Sequence, residues 1–321
     1  MLVPSILIIS NKHDFATDHV IFSLKRRGVT YLRLNRDQFS DFQLSFAPTT
    51  QRLFGAGFGF SFEISPKSLR AIYFRAPVYL RDIYQPNISP DEQLKRTQWA
   101  AFVRGLTVFD NVFWMNHPQM TYQAEIKPYQ LRCAVKMGFD VPETVVSNAI
   151  TDFELLANRE QVIVKTLDST ILRMEEGEAF IYTNLIATKE LLNSNISSAP
   201  VIIQELLAPK TDIRVTVVRD KVFAVAIKKN GRGIDGDWRK EQQDIQYEPF
   251  SLPSEIESRC RRLTRRLRLS FGTIDLAYCR DRYYFLEINP TGEWAWLVDT
   301  TPFTIDQYIA DALTQAGKRS I

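Results

Sequence analysis

Near the C-terminal end of the chain, "YYFLEINPTGEWAWL" (residues 283–297) sets Glu287 and Asn289 two apart, with Pro290 directly after. Alternate residues of a strand share a face, so Phe285, Glu287 and Asn289 are expected on one side. A carboxylate and a carboxamide oxygen then point the same way, about 7 Å apart at roughly 3.3 Å per residue. Proline has no N–H to donate, so the ladder ends at Pro290. Hard oxygen donors of this kind suit a divalent cation, Mg2+ above all. A solvated strand face, or an Asx turn at Asn289, accounts for the same residues. The preceding strand, "GTIDLAY", carries Asp275, and counting outward from a turn at Arg280-Asp281 brings Asp275 and Glu287 roughly opposite. Three oxygen ligands, Asp275, Glu287 and Asn289, then converge, which strengthens the metal reading.

Two lysines offer the complementary charge. Lys127 precedes Pro128 at a helix start, where free N–H groups and the dipole already favour phosphate. Lys165 interrupts the apolar run "VIVKTL", where an unpaired ammonium is costly to bury. It needs an anion at the strand end, and a structural salt bridge would meet that need equally well. "FGAGFGF" (residues 54–60) resembles a dinucleotide loop only in letters: no capped helix follows and aromatics fill the spacers, so a hairpin is expected. His13, His19 and His117 lack metal-ligand spacing. Arg259, Arg261, Arg262, Arg265, Arg266 and Arg268 share one helix whose other face is apolar. A solvated face is the favoured account and an acidic partner the alternative; no aromatics interleave to stack bases.

These side chains must be positioned by a chain of 321 residues, long enough for two domains, with 45% hydrophobic and 24% charged residues. A net charge of +3 argues against a nucleic-acid partner. Cys133, Cys260 and Cys279 are far apart and form no CxxC pair, so neither a disulfide framework nor a zinc ribbon is supported. No signal peptide or transmembrane run is evident, so no membrane partner is expected and a reducing cytoplasm is the default. The first segment reads β-α-β: "SILIIS", a helix capped by Thr17 or Asp18 and stopped by Gly28, then "TYLRLN". "LRAIYFRAPVYL" gives a strand ending near Arg75, and Ser89-Pro90-Asp91-Glu92 is a capping box opening a helix with Trp99, Phe102, Val103 and Leu106 inward. A second segment has a helix at "KPYQLRCAVKMG", apolar strands "QVIVKTL" and "VIIQELL", and a hairpin turning at Arg219-Asp220. A capping box at Ser254-x-x-Glu257 precedes a helix with Ile256, Cys260, Leu263 and Leu267 inward, and a last hairpin carries Asp275 and Glu287. The fold class is α+β with an α/β start.

Taken in order, two lysines, an apolar strand with an acidic exit, Asp212 seven after Glu205, and the Asp…Glu-x-Asn set resemble the ATP-grasp ligases. Within them the chain looks most like the graspetide ligases, such as those that macrocyclise microviridins, through "WMNHP", "DIRVTVVRDKVFAVAI", "DWR" (237–239), "GTIDLAY" and "FLEINPTGEWAWL". The resemblance implies an N-terminal α/β domain (1–118), a small central ATP-grasp lobe (119–207) and a C-terminal lobe with the metal site (208–321). It implies ATP and Mg2+ as cofactors. Lys127 and Lys165 would hold phosphates, the segment Gln204, Glu205, Leu206 and Leu207 would read adenine, and Asp212 would take the ribose. Asp275, Glu287 and Asn289 would hold Mg2+, and Arg214 and Arg239, with Lys165, would face the transferring phosphate. The loop after Lys165 is poor in glycine, which leaves Ser169 and Thr170 hydroxyls to share in binding the phosphate. Arg75, with Arg214 and Arg239, is expected to grip the acidic side chain to be activated, an interdomain salt bridge being the alternative. Trp294 and Trp296 are expected to pack the lobe. The implied partner is a ribosomally made precursor peptide, a leader with an acidic core, joined internally by esters or amides; a homodimer is left open. The rival readings are a ligase adding a free amino acid to a protein or small molecule, and a nucleotide-binding regulator without ligation.

Overall fold

The computed structural model describes residues 1–75, 88–149, 159–168, 171–174, 177–194, 196–234, 236–240 and 243–316. It divides into two compact units, Met1–Tyr122 with Arg268–Phe271 and Glu293–Ile321, and Gln123–Leu267 with Gly272–Gly292.

The first unit opens with β1 (Ile6–Ser10), α1 (Phe15–Arg26) and β2 (Tyr31–Asn35). Its antiparallel strands are β3 (Gln43–Ala47), β4 (Arg52–Gly57) and β5 (Phe60–Ile64), and β6 (Ala71–Phe74), α2 (Pro90–Gly105), β7 (Phe113–Met115) and α3 (Pro118–Ala124) follow. The parallel sheet runs β2-β1-β6-β7, and β1 is buried along its length, as an apolar run covered on both faces should be. Asp14, rather than Thr17 or Asp18, caps α1: it lies outside the helix and its Oδ1 accepts the Thr17 N–H at 3.2 Å, while Phe15 and Ala16 already belong to the first turn. The cap at α2 is the expected one, Ser89 Oγ accepting the Glu92 N–H at 3.2 Å. The stretch "FGAGFGF" forms the β4–β5 hairpin, turning through Phe58 and Gly59, both at positive φ.

In the second unit α4 (Lys127–Lys136) precedes β8 (Thr144–Ser147) and β9 (Gln161–Lys165). The hairpin β10 (Ile171–Met174) and β11 (Gly177–Phe180) follows, then β12 (Asn184–Ala187), α5 (Thr188–Leu192) and β13 (Val201–Glu205). One antiparallel sheet runs β12-β9-β13-β8. The other is built from β14 (Thr211–Val218), β15 (Lys221–Lys229), β16 (Ile245–Pro249), β17 (Phe271–Cys279) and β18 (Arg282–Asn289), in the order β16-β15-β14-β17-β18. Helix α6 (Ser254–Arg266) buries Ile256, Cys260 and Leu263 and packs on β14 and β15. The capping box expected at Ser254 does not form: Ser254 is the first helical residue, and Pro253, which flanks it, has no side-chain hydrogen bond to offer. The chain then returns to the first unit through α7 (Ala295–Thr300) and α8 (Ile305–Gln315), although the C-terminal lobe is expected to run through 321. There α8 packs on α1, with Ser23 Oγ donating to Asp306 at 2.5 Å. Among the described residues no helix is long and apolar enough to cross a membrane.

Candidate active site

The β17–β18 hairpin turns through Arg280 and Asp281, both at positive φ, as a two-residue turn matched to strand twist requires. That turn sets the register as far as Leu276; farther from it, Asp275 and Glu287 are direct partners, with Thr273 opposite Asn289. The register then slips between Asp275 and Leu276, so that Leu276 pairs with Phe285 and Leu286 is the extra residue of a bulge. The bulge corrects the expected alternation. Phe285 does not share the Glu287 face; it is fully buried, with its ring centroid 5.9 Å from Phe139. Leu286 and Glu287, consecutive in sequence, instead line one cavity. Buried Gln130 of α4 fixes the strand from behind, donating to the Ile288 carbonyl at 2.8 Å and accepting its N–H at 3.0 Å.

This cavity lies within the second unit, between its two sheets, and holds about 630 Å3 of empty space. Ile163, Leu207, Leu286 and Trp238 supply apolar surface, and Lys165, Asp212, Arg239, Asp275 and Glu287 supply charge. Gln204, Glu205 and Leu206 are also at its wall.

Glu287 gathers cations. Lys127 Nζ lies 3.0 Å from its Oε2, and Arg239 Nη1 lies 4.0 Å from its Oε1. Burial works against its ionised form, but Lys127, Arg239 and Lys165 together hold the carboxyl well below the usual range. Asn289 is outside the lining but adjacent, its Nδ2 donating to Glu287 Oε1 at 3.3 Å. Asp275 is gripped by Arg214, whose Nη1 donates to Oδ1 at 2.7 Å and Oδ2 at 2.8 Å. Burial and the facing Glu287 push the Asp275 carboxyl up, against Arg214. Lys165 donates to Gln204 Oε1 at 2.8 Å, and Gln204 in turn donates to Thr144 Oγ1 at 2.9 Å. A neutral carboxamide thus accepts its hydrogen bond, and Glu287 supplies the nearby negative charge. Burial lowers the Lys165 ammonium to about 8, with Glu287 opposing. Burial raises the Asp212 carboxyl to about 6, although Lys210 hydrogen-bonds it.

Several expected side chains are engaged elsewhere. Glu205 Oε1 is 3.0 Å from Arg280 Nη1 and 3.2 Å from Arg159 Nη1, which leaves its backbone as the part facing the cavity. Arg75 belongs to the first unit and its side chain is only 2% exposed. It contacts Asp14 at 3.2 Å and Glu293 at 2.6 Å, so it grips two carboxylates of its own unit rather than being offered to a substrate. Trp294 is fully buried in that unit beside His19. Ser169 and Thr170 lie outside the described residues.

Two charged cavity residues escaped the sequence-based reading. Lys210 lies two before Asp212, and like-facing i, i+2 positions are the signal that could have paired them. Asp237, first residue of "DWR", has a side chain 2% exposed and accepts Nε and Nη2 of Arg239 at 2.8 and 2.9 Å. It also accepts the Thr183 N–H at 3.1 Å. It fixes the arginine in a forked geometry.

Two carboxylates and a carboxamide at adjacent strand ends are a suitable donor set for Mg2+, and the surrounding lysines and arginines suit phosphates. Among the described residues no group of three His, Cys, Asp or Glu converges, so the third protein donor would be Asn289.

No curated protein sequence matches the chain. In fold it is similar to the macrocyclase MdnC, bound with precursor peptide MdnA, from Microcystis aeruginosa MRC, with 24% identity over 97% of this chain and 99% of that one and a TM-score of 0.81. It is similar to a Chryseobacterium gregarium RiPP-associated ATP-grasp ligase in complex with ADP and a leader and core peptide, with 22% identity, 97% of each chain covered and a TM-score of 0.82. A RimK domain ATP-grasp protein from Sphaerobacter thermophilus DSM 20745 aligns at 12% identity over 96% of this chain and 99% of that one, with a TM-score of 0.56. The RimK-like ATP-grasp domain profile matches residues 126–313, which include every charged residue of the cavity. The chain therefore belongs to the RimK-like ATP-grasp family of ligases, which use ATP and Mg2+.

Proposed function

We propose that the protein activates Asp or Glu side chains of a ribosomally made precursor peptide and joins them to Lys, Ser or Thr side chains of the same peptide. The observation that carries this reading is that Glu287, at the wall of the cavity with Lys165 and Arg239, is also held by Lys127 at 3.0 Å. Similarity along the whole chain to two ligases seen with peptides supports the choice of substrate.

A free carboxylate is a poor electrophile, and bound MgATP would supply a phosphoryl group that converts it into an acyl phosphate. The chain's own residues supply position and charge. Lys127 and Lys165 would hold the phosphates, the backbone from Glu205 to Leu207 would read the base beside Ile163 and Leu286, and Asp212 would accept from the ribose. Asp275, Glu287 and Asn289 would hold the metal. Arg239, fixed by Asp237, and Arg214 neutralise charge where two anions must approach each other. A nucleophilic side chain of the peptide then attacks, and an ester or amide, ADP and phosphate leave.

The test is mass spectrometry of a Thr-, Ser-, Asp- and Glu-rich peptide encoded beside the gene, after incubation with the protein, ATP and Mg2+. Loss of about one water mass per bond is expected. ADP formation with a free amino acid appearing on the peptide would instead support the rival ligase.

A further inference from the structure

Each of the two carboxylates in the metal set already carries a cation. Lys127 Nζ is 3.0 Å from Glu287 Oε2, and Arg214 Nη1 is within 2.8 Å of both Asp275 oxygens. The oxygens that would bind a divalent ion are the ones these side chains hold, so the ion and the side chains compete. Lys127 begins α4 and is only 20% exposed, and Lys165 and Arg239 act on the same Glu287. A divalent ion arriving alone would displace the ammonium into a region already rich in positive charge. Leaving a charge there without a partner is costly. A nucleotide changes the balance, because its phosphates give the displaced lysine a new anion.

We propose that Lys127 is a placeholder for the divalent ion at Glu287. It keeps that carboxylate aimed, opposes metal binding while no nucleotide is present, and passes to the phosphates when nucleotide and metal enter together. The proposal rests on the nucleotide and metal reading above. It implies that metal and nucleotide each tighten the other's binding through one shared side chain, and by linkage the coupling is reciprocal.

The test counts bound Mn2+ by electron paramagnetic resonance, with and without ADP, after correcting for Mn2+–ADP association in solution. Wild type, Lys127→Met and Lys127→Arg are compared, with circular dichroism to confirm folding and Lys127→Gln as a second neutral variant. In the nucleotide-free proteins Lys127→Met should bind Mn2+ about tenfold tighter than wild type, a shift within the usual range of coupling between sites. The same substitution should shrink the tightening of Mn2+ that ADP causes, and Lys127→Arg should keep the wild-type pattern. Nucleotide-free binding by both neutral variants that is no tighter than wild type would overturn the placeholder role alone. Absence of bound Mn2+ in wild type even with ADP would overturn the metal assignment itself, and the placeholder role with it.

Discussion

Arg75 and Arg239 each lie between two carboxylates, Arg75 between Asp14 and Glu293, Arg239 between Asp237 and Glu287. In the first unit the arginine and Asp14 are closed off, although Glu293 is open to solvent. The Arg75 side chain is 2% exposed, and Asp14 is also held by the hydroxyls of Ser10 and Thr17, each at 2.9 Å, while capping α1. In the second unit the Arg239 side chain is 42% exposed, and Glu287 is shared with Lys127. One arginine is tied into a lattice of fixed partners; the other faces free volume with more cations than Glu287 can satisfy. Arginine–carboxylate chemistry alone does not separate structure from function. Free volume, and competition for a shared partner, do.

Glu287→Ala breaks the open cluster at its centre. The fold should persist by circular dichroism at some cost in stability, since Lys127 loses its partner, and ATP turnover should vanish if Glu287 is the metal ligand proposed above. Arg75→Ala breaks the closed cluster. It leaves Asp14 buried without its cation and should cost about 3–5 kcal/mol in denaturant unfolding, with nucleotide affinity near wild type in the folded fraction. Lys165→Met keeps length and removes charge, and should slow turnover by roughly 10²–10³.

The pH dependence sharpens the contrast further. Lys165 is charged below about 8 and neutral above it, because burial favours the neutral form. The kcat/KM for ATP should therefore fall about tenfold per pH unit above that value, and Lys165→Arg should move this limb upward. Asp212, raised to about 6, is ionised above that pH and protonated below it. Nucleotide affinity should weaken a few-fold as the pH drops through 6, and Asp212→Asn should flatten that response.

How much of this was legible in sequence depended on range. Counting out of the two-residue turn at Arg280-Asp281 brings Asp275 opposite Leu286, one residue short, and only the bulge makes Glu287 its partner. The bulge at Leu286 was not legible, because strict alternation carries no sign of an inserted residue, and the error placed Phe285 on the wrong face. Asp14 was passed over as the α1 cap because apolar Phe15 follows it. The contacts of Arg75 are illegible for a related reason: they lie 61 and 218 residues away, and nothing near "YFRAP" announces them. Asp237 stood in a quoted motif, yet its hold on Arg239 is visible only once the loop is folded.

The central claim is that the charged cavity of the second unit, and not the Arg75 cluster, is the nucleotide site. Calorimetric titration of ADP with Mg2+ into wild type, Glu287→Ala and Arg75→Lys tests it most directly. The account predicts binding to wild type, near-equal affinity for Arg75→Lys, and at least a hundredfold loss for folded Glu287→Ala, about 2.7 kcal/mol. Undiminished affinity in Glu287→Ala, or a loss confined to Arg75→Lys, would contradict it.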